Sequence, residues 1–184
     1  MRLLLTVALF AGALTSSATL ASERVGGPRL RPQDQRSSLV LQEGLSRSET
    51  FRSLVNRIEA GNVIVYVAVS PTLRSSLSGA LTWMTRAGEY RYVRASISIE
   101  QTFDQTIASV AHELQHAVEV IEDETVVDEK SLTALYKRIG QPSKAAGPLG
   151  WETIAAQRMG TQVRRELVAM PTMTLTRASD NRQS

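Results

Sequence analysis

The sequence predicts an α+β fold: a small antiparallel or mixed sheet packed against one long amphipathic helix, with further helices toward the C-terminus. Three observations predict it: a β-branched run over 62–70, two alternating segments joined by a short polar turn over 79–100, and helical apolar spacing over 103–121. The chain has 184 residues, 42% of them hydrophobic, which suits one domain with a buried core.

Residues 1–21 read as a secretory signal. Arg2 supplies the positive start, Leu3 to Leu14 is almost entirely apolar, and small residues follow, so cleavage is expected after Ala18 or Ala21. An apolar run of about a dozen residues falls short of the roughly 20 that span a bilayer, so cleavage is favoured over an anchor. Export to a periplasm or to the medium is the expectation, with no stable membrane insertion afterwards. Residues 22–46 are rich in Arg, Gly, Pro, Gln and Ser and are expected to form a flexible leader.

The domain itself is expected over 47–170. Ser48 is an N-cap candidate before Phe51, Leu54, Val55 and Ile58 at helical spacing, with Gly61 behind them. Asn62 to Ser70 reads as a buried strand ending at Pro71. Gly79–Thr85 and Tyr90–Glu100 read as a hairpin around Arg86-Ala87-Gly88-Glu89. In its second arm Tyr92, Arg94, Ser96 and Ser98 alternate with Val93, Ala95, Ile97 and Ile99, giving one polar and one apolar face. The helix from Phe103 to Ile121 carries Ile107, Val110, Ala111, Leu114, Ala117 and Val118 on its apolar positions, with Thr102 or Asp104 as cap. A shorter helix at Ser131–Arg138, a Pro/Gly/Ala-rich loop from Gln141 to Gly150, and a helix from Trp151 to Met170 follow. Residues 171–184 are expected to be a disordered tail.

Composition narrows the chemistry. Cysteine is absent, which excludes disulfides and thiolate metal ligands and leaves histidine and carboxylate as the strong metal donors. The 21 basic residues against 18 acidic ones leave a net +3, falling to about +2 when Arg2 departs with the signal. The basic residues are scattered and form no dense cluster with aromatics, so nucleic acid is not an expected partner despite the sequence pI of 9.6.

The only two histidines stand in His112-Glu113-Leu114-Gln115-His116, inside the predicted long helix. Residues four apart share a helix face, so His112 and His116 can offer two imidazole nitrogens to one ion at about 2.0–2.1 Å. Glu113 points about 100° round the helix, beside the ion rather than on it. That makes it the candidate general base. Zinc would lower the pKa of water toward about 7, and Glu113 would take the proton and return it to a leaving amine.

A third protein ligand must be Asp or Glu. Glu119 shares the face of the two histidines, yet three donors along one straight helix converge poorly. Glu119 could instead orient one of the histidines. Asp128-Glu129, with Glu129 a further candidate ligand, lies just past the helix, where a solvated loop is the ordinary reading. Glu152 opens a separate predicted helix and can approach the ion from another direction.

The His112-Glu113-x-x-His116 signature resembles that of gluzincin-type metallopeptidases. The resemblance covers about Val110 to Ala156 and implies a zincin-like fold, Zn2+ as cofactor, a peptide or protein substrate, and a glutamate from a later helix as third ligand. Glu152-Thr153-Ile154-Ala155-Ala156 matches the family's later motif at Glu and Ala, while Ala156 replaces an Asp that commonly braces the first histidine. The missing third histidine, and the missing Gly three residues after His116, argue against the metzincin pattern. The resemblance also implies a strand beside the active helix to hold extended substrate, with Tyr90–Glu100 the candidate arm. Tyr92 and Tyr136 are possible oxyanion donors, with core packing the commoner use of such rings. The rival readings are a zinc-binding envelope protein without turnover and a metal-free helical interaction protein.

Overall fold

A computed structural model describes residues 27–71, 73, 77–143 and 150–170. The signal segment 1–21 with Ala18 and Ala21, the first residues of the leader, and the tail 171–184 lie outside the described residues.

Residues 30–46 are not a flexible leader: they contribute a strand, β1 (Leu30–Pro32), and most of a helix, α1 (Gln35–Arg47). The local signal is a capping box, in which the Asp34 side chain accepts from Ser37 N at 2.7 Å and Ser37 Oγ accepts from Asp34 N at 3.1 Å. The buried residues of α1 are Ser37, Val40, Leu41, Gly44 and Arg47, at helical spacing but with only Val40 and Leu41 strongly apolar. That dilution hides the helix from a hydrophobic pattern. Small residues are needed there because the Phe51 ring occupies the space a Cβ at Gly44 would take, 2.8 Å away.

Ser48 caps α2 (Glu49–Ala60), whose Phe51, Leu54, Val55 and Ile58 are buried as their spacing predicts. Next come β2 (Val63–Ser70), β3 (Gly79–Ala87) and β4 (Tyr90–Ser98). The hairpin strands run up to a two-residue turn in which Gly88 takes φ of 59°, a left-handed conformation that glycine adopts without steric cost. The remaining elements are α3 (Phe103–Glu122), α4 (Glu129–Ile139), the two-residue strands β5 (Gln141–Pro142) and β6 (Trp151–Glu152), and α5 (Ile154–Ala169).

The fold is α+β, with five helices among the described residues and a mixed four-stranded sheet in the order β1-β2-β4-β3. β1, β2 and β4 are mutually parallel and β3 is antiparallel to β4. This corrects the expectation for the Tyr90–Glu100 arm, since β4 is interior and β3 is the edge strand. Buried Val93, Ala95 and Ile97 keep the predicted apolar face of β4, whereas Ile99 falls just past the strand and is 42% exposed.

Helix α3 packs against β2, β3 and β4 as well as α1, α2 and α5, which explains why it is buried on nearly every side. Buried arginines brace both its ends. Arg91 donates to the carbonyls of Val120 and Asp123, both at 2.7 Å, at the C-terminal end. Arg47 pairs with Asp104 at 2.8 Å in the first turn and also donates to the carbonyls of Leu167 and Met170, at 3.0 and 2.8 Å. Cations near helix carbonyl ends are favourable for the same reason that those carbonyls lack helical partners.

Candidate metal centre

The histidines of α3 meet the chain again at β6. His112 Nε2 lies 3.1 Å and His116 Nε2 3.4 Å from Glu152 Oε1, so three donor atoms converge on one point. All three lie within 4.8 Å of one another, close enough to hold a metal ion. Two donors placed tetrahedrally at about 2.0–2.1 Å from a common ion are about 3.3–3.4 Å apart, so the observed spacing needs only small adjustment.

Glu152 reaches this point by a route other than the predicted one. It does not open a helix. It pairs with Gln141 in the short β5–β6 ladder, and Thr153 is the N-cap of α5, accepting from Ala156 N at 3.1 Å. A Trp151 start for the helix fails because the Thr153 cap takes non-helical backbone angles and leaves Trp151 and Glu152 extended.

Glu119 stands outside the converging donor group and meets His116 at its other ring nitrogen. His116 Nδ1 donates to Glu119 Oε2 at 2.8 Å, which turns Nε2 toward Glu152. The other carboxylate oxygen of Glu119 accepts from Thr153 Oγ1 at 2.6 Å. The chain Thr153, Glu119, His116 is buried throughout and joins the residue after Glu152 to the helix bearing both histidines. It braces His116, the second histidine; Ala156, itself buried, has no polar group to brace the first. If the donor group holds a metal ion, Thr153→Val should weaken that binding roughly tenfold, within the 10- to 100-fold range for such outer contacts, and Thr153→Ser should restore it. Unchanged affinity in Thr153→Val by chelator competition would show that the link is dispensable.

Electrostatics favour a cation here. Burial pushes the Glu152 carboxyl up, but hydrogen bonds with His112 and His116 outweigh it and hold it down at about 2. Burial likewise opposes a charge on His116, yet Glu119 and Glu152 outweigh it and push the ring up to about 10. A metal ion ligated by His116 must displace that proton. The sign follows directly: the proton competes below pH 10 and less so as pH rises. Zinc affinity should thus rise about tenfold per pH unit between about pH 6 and 8, measured against a chelator of known protonation. A flat profile would mean that His116 enters the site already neutral.

Glu113 is buried beside the triad, and burial raises its pKa even though His116 and His112 pull it down. It faces β3. A Cβ built at Gly79 would stand 2.6 Å from Glu113 Oε1, so the bare backbone of the edge strand leaves the carboxylate its room.

The site opens into a cleft of about 780 Å³. Edge strand β3 forms one wall and α5 another, while α4 supplies Leu132 and Tyr136. Tyr136 lines the cleft with its ring 5.1 Å from that of His116, but its hydroxyl donates to the His116 carbonyl at 3.1 Å. Burial and the surrounding carboxylates raise its pKa well above the usual phenol value. Tyr92 does not line the cleft, and Glu129 lines it without joining the donor group. The contributions of Gly79 and Thr153 are legible only with the fold in hand, although Thr153 carries a sequence signal as a cap candidate before a helix.

No family model matches the chain, and neither a curated protein nor a solved structure is found to be similar to it.

Proposed function

We propose that this chain is an exported zinc-dependent hydrolase of peptide bonds, with a zincin-like arrangement of the gluzincin type. The observation that carries the reading is the convergence of His112 Nε2 and His116 Nε2 on Glu152 Oε1, at 3.1 and 3.4 Å, beside the buried Glu113. Two imidazoles and one carboxylate are a donor set suited to zinc, and three protein donors leave a fourth position open, as catalytic sites do. When bound, zinc supplies Lewis acidity and lowers the pKa of water toward about 7.

The residues of the chain do the remaining work. Glu119 holds the His116 ring by its Nδ1, and Thr153 holds Glu119. Glu113, desolvated and adjacent, accepts a proton from the attacking water and passes it to the leaving amine. The cleft suits an extended substrate because β3, among the described residues, is an edge strand with one side of its backbone left to pair with an added strand. Export follows from the signal-like segment 1–21.

The test is elemental analysis of the purified protein, followed by digestion of an unstructured protein with the zinc-loaded chain. About one zinc per chain and hydrolysis lost on chelation are expected. A protein that refuses zinc sinks the whole reading, whereas zinc without turnover leaves a binding protein.

A further inference from the structure

Among the described residues four charged side chains lie along the cleft apart from the histidines, and Glu113 and Glu152 belong to the site already described. The other two are Glu129 and Arg164. Among the described residues Arg164 is in no salt bridge, and it sits on the α5 face that also presents Gln157, Gly160 and Thr161 to the cleft.

The contacts of the helices put these charges at opposite ends. Helix α5 runs antiparallel to α3: Thr153 bonds Glu119, Gly160 stands over the Ala108 carbonyl and the His112 side chain, and the Leu167 carbonyl shares Arg47 with Asp104. Arg164, one turn past Gly160, therefore lies toward the start of α3, on the His112 side. Gln101 marks the same end, bonding both the Ser78 carbonyl and Ser109. Helix α4 covers the other end, where Tyr136 bonds the His116 carbonyl. Glu129 shares a face of α4 with Leu132, Thr133 and Tyr136, and all four line the cleft, as Trp83 does. Strand β3 runs from Gly79, near Gln101 at the Arg164 end, toward Arg86, whose partner Arg91 bonds the Val120 carbonyl at the end of α3 from which α4 and Glu129 follow.

Antiparallel pairing is the more stable way to add a strand to an edge. A peptide so placed has its amino-side half beside Glu129 and its carboxyl-side half beside Arg164. We propose that the cleft selects extended peptides by charge polarity, preferring a basic group on the amino side of the bound centre and an acidic side chain or free carboxylate on the carboxyl side. The inference rests on the reading of the cleft as a peptide-binding site, and it names the substrate class that this site takes.

The test uses two fluorescent peptides of identical composition. One carries Lys before and Glu after an uncharged apolar centre, and the other has the two exchanged, so net charge is constant. Binding is measured by anisotropy to the full zinc-loaded chain carrying Glu113→Gln, which prevents cleavage. The Lys-first peptide should bind roughly five- to tenfold tighter at low salt, the product of two exposed charge pairs, and the preference should fade as salt rises. The double exchange Arg164→Glu with Glu129→Lys, both exposed helix positions, should reverse the preference. Equal binding of the two peptides, binding of neither, or a preference that survives the double exchange overturns the inference. Hydrolysis by the unsubstituted chain is scored separately: polarity without cleavage removes the hydrolase reading alone, and cleavage without polarity removes this inference alone.

Discussion

Glu152→Ala is expected to lower zinc affinity by roughly a hundredfold or more while the fold persists. The size follows from comparison with the outer contacts, whose loss costs about 10- to 100-fold, because removing a donor atom does more than loosening one. Survival of the fold follows from position. Glu152 lies on a two-residue strand and is a fifth exposed, whereas the core is built on Val65, Ile97, Leu114 and their neighbours, all fully buried. Circular dichroism should be unchanged, and chelator competition should register the lost affinity. The control is Glu119→Ala, which breaks the bond to His116 and should cost less than Glu152→Ala. If the ranking inverts, with Glu119→Ala the more damaging, Glu119 rather than Glu152 is the third ligand. His116→Ala should be as severe as Glu152→Ala, since it removes a donor together with the partner of Glu119.

Glu113→Gln is expected to reduce peptide hydrolysis by about 10²- to 10⁴-fold with zinc content unaltered. The amide has nearly the shape of the carboxylate, so the tight contact with Gly79 is preserved and the helix keeps its packing. What changes is the capacity to accept and return a proton. Initial rates on a quenched peptide, with metal content measured on the same samples, separate the two effects. Loss of zinc along with activity would make Glu113 part of the metal site. Full activity with zinc bound would assign the base to another group.

The parts of this protein that were legible in the sequence are those in which one element suffices. Helical periodicity places His112 and His116 on one face and Glu113 beside them, whatever the rest of the chain does. The caps at Ser48 and Thr102, the β-branched run of β2, and the alternation in β4 are equally local, and each appears in the structure close to its expected bounds. Helix α1 was hidden for a local reason too. Its buried face includes Ser37, which closes the capping box with Asp34, and Gly44, whose place against the Phe51 ring of the next helix shows only in the fold.

The sequence offered Glu119, Glu129 and Glu152 as candidate donors and favoured Glu152, and only the tertiary structure shows which of them meets the histidines. Glu119, Glu129 and Glu152 are chemically alike, and their roles diverge because the Thr153 cap and the β5–β6 ladder carry Glu152 to the two Nε2 atoms while Glu119 turns to Nδ1. It also decided which arm of the hairpin lies at the edge. Either arm can pair outward on alternation alone, and the parallel register of β2 with β4 leaves β3 to wall the cleft. The physical reason is one of range: periodicity and capping are settled by neighbours a few residues away, whereas a convergent site and a strand order depend on contacts between segments that sequence spacing does not relate.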